Sequence, residues 1–386
     1  MMRGEGWWIV WRTTALELVF GFSAVVALVF LLDPIARRVG LLDHPGGRKD
    51  HAAPTPVTGG LAIALGTIFP ALLLSAPSPQ LIGLGVAAAI LIVTGVLDDL
   101  KDLRWQLRIL AQMAAGLAIA LIGDVKVEQI GPVFGLGPMA LGSLSIPFTV
   151  LATVGLINAL NMADGLDGLA GAMALCALTM LIAGSIYAGN SDLTFGLILI
   201  AGAVLGFLAF NVRLPWRKRA RVFLGNSGSA YLGLIIAWAS FRLTQNPGHP
   251  VTPVLAPFLI APPVIDCLVL IVRRLAHGRS PFAADRTHVH HLMLDGGFST
   301  TGVVVALSAT SFTLGLAAAL ALLADAPIPL FPLVFLMATG GWYALSARPA
   351  RAVALFAGLT RLATGKAAGR APAEVPEPAK PSLHNP

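Results

Sequence analysis

Eleven uninterrupted apolar runs dominate this 386-residue chain and leave it little choice of fold. They lie near 16–32, 59–76, 81–97, 109–123, 144–160, 168–188, 193–210, 228–243, 252–272, 302–324 and 329–346. A run of about 18 uncharged apolar residues is long enough to cross a bilayer as a helix, and the shorter runs reach that length by drawing in their neighbours. In hydrocarbon such segments can satisfy their backbone groups internally only as helices, since period-2 barrel strands are absent. The expected fold is therefore all-α, a polytopic integral membrane helix bundle of about eleven transmembrane helices. Length alone would suggest two or three soluble domains. The 12% charged content, against roughly 25% in soluble domains, excludes that. Residues 1–346 are expected to form a single membrane-embedded catalytic domain. Residues 347–386 turn to Ala, Pro and Lys/Arg and imply a cytoplasmic, largely disordered tail after a short interfacial stretch.

The net charge of +7 invites a nucleic-acid reading, but its distribution argues against one. The basic residues sit in short loops between apolar runs, which is the mark of membrane topology. With odd-numbered runs taken as pointing inward, 22 of the 26 Lys and Arg residues fall on one side. The other side keeps only Arg3, Arg12, Lys126 and Arg242. The positive-inside rule then puts the N-terminus outside and the C-terminus in the cytoplasm. Trp7, Trp8 and Trp11 flank the first run where an interfacial aromatic belt belongs. That run lacks a small-residue cleavage site and is expected to remain as a helix rather than be removed as a signal peptide. The two cysteines, Cys176 and Cys267, lie in separate apolar runs and imply neither a disulfide framework nor a metal site.

Polar chemistry collects in five segments, all in or beside the loops on the basic side. LDDLKDL ends the third run with Asp98, Asp99 and Asp102. Asp98 and Asp102 are four apart and would share a helix face. Such acids can hold Mg²⁺, which takes a few carboxylates plus water and phosphate oxygens, or act as a base. A solvated helix end paired with Lys101 and Arg104 is the plainer alternative. NALNMADGLDGLAG, 158–171, is more specific. Asn158, Asn161, Asp164 and Asp167 recur every three residues and would form one polar ribbon on a helix. Gly165 and Gly168 allow close backbone approach, which suits a metal-bridged nucleotide diphosphate. Acids inside a bilayer are costly and are functional candidates by default. RVFLGNSGSAYLG, 221–233, offers backbone amides near Gly225, Ser227 and Gly228 at the start of a helix, and Phe223 as a stacking ring. A glycine-rich turn into a helix is the competing reading.

SPFAADRTHVHHL, 280–292, packs Asp285, Arg286, His288, His290 and His291 together. The spacing H-x-H-H is not that of common zinc motifs, and Arg with His suits pyrophosphate oxygens. The loop RKDHAAPTPVTGG, 48–60, adds Lys49 and His51, which either meet an anionic substrate or serve as positive-inside charge.

Together, DDLKD, NALNMADGLDGLAG, FLGNSGSAYLG and DRTHVHH resemble, in order and from about Gly40 to Phe298, the polyprenyl-phosphate N-acetylhexosamine-1-phosphate transferase family. Asp266 in PPVIDCLVLIVRR, followed by the histidine motif, looks like the branch that initiates O-antigen, common-antigen or teichoic-acid synthesis rather than the peptidoglycan branch. The resemblance implies transfer of a sugar-1-phosphate, GlcNAc-1-phosphate above all, from a UDP-sugar to undecaprenyl phosphate, with release of UMP. It implies a bacterial inner-membrane enzyme with its active site on the cytoplasmic face, Mg²⁺ (or Mn²⁺) as cofactor, a polyprenyl phosphate acceptor, the lipid bilayer as surroundings, no nucleic acid partner, and a possible homodimer. It implies catalytic roles for Asp98 (the base on the lipid phosphate), Asp99, Asp102, Asp164, Asp167, His288, His290 and His291. Lys49, His51, Asn158, Asn161, Asn211, Phe223 (on uracil), Asp285 and Arg286 would bind substrate. Metal ligands would come from Asp98, Asp99, Asp164 and position 226. That position departs from the family, which usually has Asp in FxGDxGS where this chain has Asn226. Asparagine keeps a carbonyl oxygen but no charge. Two rivals stay open: a lipid-linked sugar transporter, which predicts repeats and polar groups through the bilayer depth, and a catalytically degenerate member of the family. One-step and two-step (aspartyl intermediate) mechanisms also both stay open.

Overall fold

A computed structural model describes residues 5–43, 54–74, 76–135, 137–246, 251–281 and 286–365. Lys49, His51 and Asp285 lie outside the described residues.

The chain is helical almost throughout. The helices are α1 (Glu5–Val39), α2 (Gly59–Leu74), α3 (Pro79–Lys101), α4 (Trp105–Leu117), α5 (Ser145–Ala163), α6 (Leu169–Tyr187) and α7 (Ser191–Asn211). They continue as α8 (Gly225–Thr244), α9 (Ala256–Leu259), α10 (Ala261–Ala276), α11 (Val289–Asp295), α12 (Thr300–Leu323), α13 (Leu330–Ser346) and α14 (Pro349–Thr364). A π-helical turn, Ala118–Ile122, extends α4. Two short antiparallel strands, β1 (Leu42–Asp43) and β2 (Thr55–Pro56), pair Leu42 with Pro56 and Asp43 with Thr55. They tie the ends of the loop before α2 together.

Every apolar run expected from the sequence coincides with a helix, although not every one is by itself long and apolar enough to span a membrane. Among the described residues seven helices are long and apolar enough to cross a membrane, and nine if each of two bent pairs is one span. One of the expected spans is bent, and a second bend follows the last of them. The helix from Pro253 turns by 87° between Leu259 and Ala261, where Pro262 and Pro263 follow the break, and α13 and α14 meet at 101°. Proline fits the first turn of a helix and cannot continue one without loss of a hydrogen bond, so the Pro262–Pro263 pair marks the restart. The α2 run, at 16 residues, is short. The α8 run is not apolar enough, for a physical reason. Every residue from Ser227 to Phe241 is buried. Helices α2, α3, α5 and α6 enclose α8, so its surface meets protein and carries small and polar residues that lipid would not tolerate.

Close crossings make this enclosure possible. A Cβ on Gly60 would lie 2.0 Å from the Cα of Gly228, so α2 and α8 touch backbone to backbone. Around this centre, α1 packs along α7 and α12 along α6. The outer faces of α1, α3, α12 and α13 keep large apolar residues exposed, such as Leu16, Phe30, Val93, Leu320 and Leu336, as a surface in contact with hydrocarbon should.

The expectation of a largely disordered tail after 346 is corrected over Pro349–Thr364. There α14 docks on α11, with Phe356 edge-on to Phe298 at 6.1 Å between centroids and Thr360 donating to the Gly296 carbonyl at 3.1 Å. Apolar residues placed three and four apart in the Ala- and Arg-rich stretch supply the reason.

Candidate active site

The end of α3, the end of α5 and the start of α8 meet at one end of the bundle, and their motifs meet with them. Helix α3 stops at Lys101, and Asp102 takes a left-handed conformation (φ 49°) with its N–H on the Asp98 carbonyl. Asp98 and Asp102 therefore do not share a helix face as their spacing implies. Asp102 is exposed, whereas Asp98 is 4% exposed. The Asp98 carboxylate accepts from the Leu103 N–H at 2.8 Å and from Arg108 Nη1 at 3.2 Å. Both oxygens are thus held by the turn into α4.

Asp99 points the other way, toward the start of α8. Its Oδ1 accepts from the Asn226 N–H at 3.0 Å and from Asn226 Nδ2 at 2.9 Å. Its Oδ2 is buried and has no hydrogen-bond partner among the described residues. A Cβ on Gly225 would come within 2.7 Å of that oxygen, and Gly225 has φ +76°, so only glycine allows this approach. The α8 turn does not present its amides to a phosphate as the sequence suggests. The Asn226 N–H is taken by Asp99, Ser227 is fully buried, and Gly228 is pressed against Gly60.

The ribbon of Asn158, Asn161, Asp164 and Asp167 holds only in part, because α5 ends at Ala163 and Asp164 leaves helical geometry (φ −79°, ψ 43°). Asn158 donates to Gln112 on α4 at 2.6 Å, so it joins two helices. Asn161 donates to Asn226 Oδ1 and to Ser229 Oγ, both at 2.9 Å, and so completes a chain from Asp99 through Asn226 to Asn161. Asp164 is half-buried, and its carboxyl is raised well above the usual carboxylate range, first by burial and then by the negative neighbours Asp99 and Asp167. Asp167 lies past the turn. Its Oδ2 accepts from Arg213 Nε at 2.7 Å and from the Ala220 N–H at 3.2 Å, which pins the loop before α8. Asn211 is buried and accepts from the Gly168 N–H at 2.7 Å while donating to the Val222 carbonyl at 2.8 Å. It braces the same loop from within. Phe223 is half-buried against the small cluster of Ala36, Leu41 and Val57.

The histidines come from the segment after α10. His288 caps α11, and its Nδ1 meets Asp266 Oδ2 at 3.0 Å. Asp266 Oδ1 accepts from the Val289 N–H at 3.1 Å and from Trp342 Nε1 at 3.0 Å. The imidazoles of His290 and His291 lie 4.3 Å apart between centroids, and that of His288 stacks on His290 at 5.5 Å. His290 is 3% exposed, its Nε2 has no partner among the described residues, and it packs on Gly165, where a Cβ would lie 2.5 Å from Nε2. Burial, and then the neighbouring His291 and His288, push the His290 imidazole well below its ordinary value. His291 is lowered too, by burial, His288 and Arg286. Arg286 is exposed at the entrance to this segment.

The structure thus gathers Asp99, Asp164, Asp167, Asn161 and Asn226, and sets His290 against the Asp164–Gly165 turn. It separates Asp102 and Asn158 from that group. Arg108, Gln112, Arg213 and Ser229 also belong to the network. Arg108 and Gln112 stand four apart on α4, a polar face pointing to α3 and α5 that the sequence carries. A divalent cation fits this donor set. Among the described residues no three His, Cys, Asp or Glu residues form a ready-made cluster. Mg²⁺, however, takes one or two carboxylates and completes its shell with phosphate and water. The unpartnered Asp99 oxygen beside Asp164 meets that need.

Residues 81–244, from α3 through α8, match the family model described as glycosyl transferase family 4. The undecaprenyl-phosphate alpha-N-acetylglucosaminyl 1-phosphate transferase of Yersinia pestis is 31% identical over 296 residues, covering 77% of this chain and 81% of that protein. The protein of that name from Escherichia coli K12 is 31% identical over 296 residues, with 77% and 80% covered. The Haemophilus influenzae protein is 32% identical over 310 residues, with 78% and 86% covered. The chain belongs to the polyprenyl-phosphate N-acetylhexosamine-1-phosphate transferases of glycosyl transferase family 4.

Proposed function

We propose that the protein transfers GlcNAc-1-phosphate from UDP-GlcNAc to undecaprenyl phosphate and releases UMP. The observation that carries this reading is the junction of Asp99, Asp164 and Asn161 with Asn226 at one end of the bundle. The names of the relatives support the sugar and the acceptor. The split of Lys and Arg supports a cytoplasmic site in a bacterial inner membrane, with the N-terminus outside.

In this reading an oxygen of the acceptor phosphate attacks the sugar-bearing phosphorus of the donor. The bond from that phosphorus to the bridging oxygen breaks, and the bridging oxygen leaves with UMP. Asp99 and Asp164 would hold Mg²⁺ or Mn²⁺, with the Asn226 carbonyl turned toward Asn161 instead. Bound there, the ion would neutralise charge developing on the diphosphate. Asp98 starts paired with Arg108. It becomes a proton acceptor once Arg108 turns to the acceptor phosphate, which a guanidinium binds as well as it binds a carboxylate. Arg286 and the His288–His291 group stand where further diphosphate oxygens would be met. Asp167, Asn211 and Arg213 hold the loop that carries Phe223, so their contribution to the nucleotide pocket is positional.

Membranes containing the protein, given UDP-GlcNAc labelled in the sugar, should move label into a lipid-extractable product with equimolar UMP, dependent on added undecaprenyl phosphate. Label crossing the membrane without UMP would indicate a transporter. UDP-GlcNAc binding without UMP release would indicate a degenerate member.

A further inference from the structure

A large cavity lies at the other end of the bundle from the Asp99–Asp164 site. It has a volume of about 910 Å³ and runs between α1, α2, α3, α7 and α8. Its α8 residues are Tyr231, Ile235, Trp238 and Arg242. Arg242 is sixteen residues beyond Asn226 on one helix, about 24 Å at 1.5 Å per residue. The cavity is therefore separate from the active site.

Most of its wall is apolar, and it opens to the outside past Leu16 and Phe20, which are 67% and 49% exposed. Three charged side chains also line it: Glu17 on α1, Asp192 at the start of α7, and Arg242. Among the described residues none of the three makes a hydrogen bond or an ion pair, although Arg242 and Asp192 are close enough to feel each other's charge. The Arg242 guanidinium stacks over the Trp238 ring at 4.9 Å. The Trp238 indole N–H is buried and has no acceptor, in a residue only 7% exposed. Buried donors left without acceptors are costly and are normally satisfied. The cavity thus offers one cation and an indole N–H to an anion, two carboxylates to a cation, and an apolar channel reached from the side that faces hydrocarbon.

We infer that this cavity binds an aminophospholipid, with the lipid phosphate on Arg242 and Trp238, its primary ammonium toward Asp192 and Glu17, and an acyl chain along Leu81, Leu84 and Ile200. A phosphoethanolamine headgroup matches both signs of charge. A purely anionic headgroup would meet two carboxylates without a counter-charge. A choline headgroup cannot donate hydrogen bonds to them. By the split of basic residues, the lipid enters from the leaflet opposite the active site.

Native mass spectrometry of the purified full-length protein, stripped of lipid and then offered phosphatidylethanolamine, phosphatidylglycerol or phosphatidylcholine, tests this. One phosphatidylethanolamine should be retained at an activation energy that removes the other two lipids. Gly196 lines the cavity, and a Cβ there meets nothing within 4 Å, so Gly196→Leu can place a larger side chain at the cavity wall. That variant should lose the retained lipid, with at least a tenfold drop in the bound fraction. Arg242→Ala should do likewise, and Trp238→Phe should weaken retention while keeping the ring. A monodisperse elution profile identical to that of the parent shows that each variant is folded. Equal retention of the three lipids, or retention unchanged in Gly196→Leu, would overturn the proposal. So would thermal stabilisation by soluble phosphoethanolamine equal to that by the lipid, which would mean a water-borne ligand.

Discussion

At the scale of single residues, position 226 best shows how one substitution rearranges a site. Asn226 gives its amide to Asp99 and its carbonyl to Asn161. An aspartate there would replace that donor with a charge facing Asp99, and the two carboxylates would repel unless a cation lay between them. Asn226→Asp should therefore lower the Mg²⁺ concentration that gives half-maximal UMP release. In metal-free buffer it should lower the melting temperature. A metal titration flat between the two proteins, at equal yield, would remove position 226 from the metal's surroundings. His290 yields a prediction about pH. Its folded pKa lies well below its ordinary 6.5, so the folded state prefers the neutral ring. That preference is met above about pH 6.5. As the pH falls below it, the unfolded chain takes up a proton that the folded chain refuses, at a cost of up to about 1.4 kcal/mol per pH unit. Melting curves between pH 7.5 and 5 should show a steeper loss in the parent than in His290→Asn. Parallel curves would mean that His290 is hydrated. The sequence marks candidate polar residues more clearly than the contacts each one makes. Asn158 and Asp167 fit the three-residue period, yet one braces Gln112 and the other Arg213. Periodicity cannot register that α5 ends at Ala163, because the end is set by the turn around Gly165 and Gly168.

At the scale of elements, α8 is gripped from two sides: α3 meets it at Gly95 and Ser227, which sets how near Asp99 stands to Asn226, and α2 meets it at Gly60 and Gly228. The Gly60–Gly228 contact leaves no space for a methyl group. Gly60→Val should force the helices apart and cost at least the 1–3 kcal/mol typical of overpacking. Gly155→Ala, at a helical site where a Cβ meets nothing within 4 Å, should be neutral or slightly stabilising. Thermal unfolding of the two variants in detergent checks the contrast, and equal melting temperatures would show that the crossing is looser than described. The glycines were legible in the sequence only as a turn. Their use as a helix contact depends on the partner glycine more than 160 residues away. Helix α14 was obscured for another reason. Its alanines and arginines resemble linker composition, and only the docked Phe356 distinguishes it.

At the scale of the whole molecule, hydropathy located the long apolar helices but neither α11 nor α14, and it could not register the 87° bend inside the run 252–272. Sidedness rests on charge placement and makes its own prediction. In a background with Cys176 and Cys267 replaced by alanine, a cysteine at Asp124 should react with an impermeant reagent added outside, and one at Arg279 should react only after permeabilisation. The reverse pattern would invert the molecule.

The enclosure of α8 bears on how the chain enters its membrane. A helix packed among other helices over most of its length is under little pressure to be apolar, and α8 alone would partition poorly from a translocation channel into lipid. Its principal neighbours α2, α3, α5 and α6 all precede it in the chain. By the time Gly225 is synthesised, the socket for α8 already stands in the bilayer. Insertion of the segment that completes the active site thus waits on the assembly of the segments that surround it.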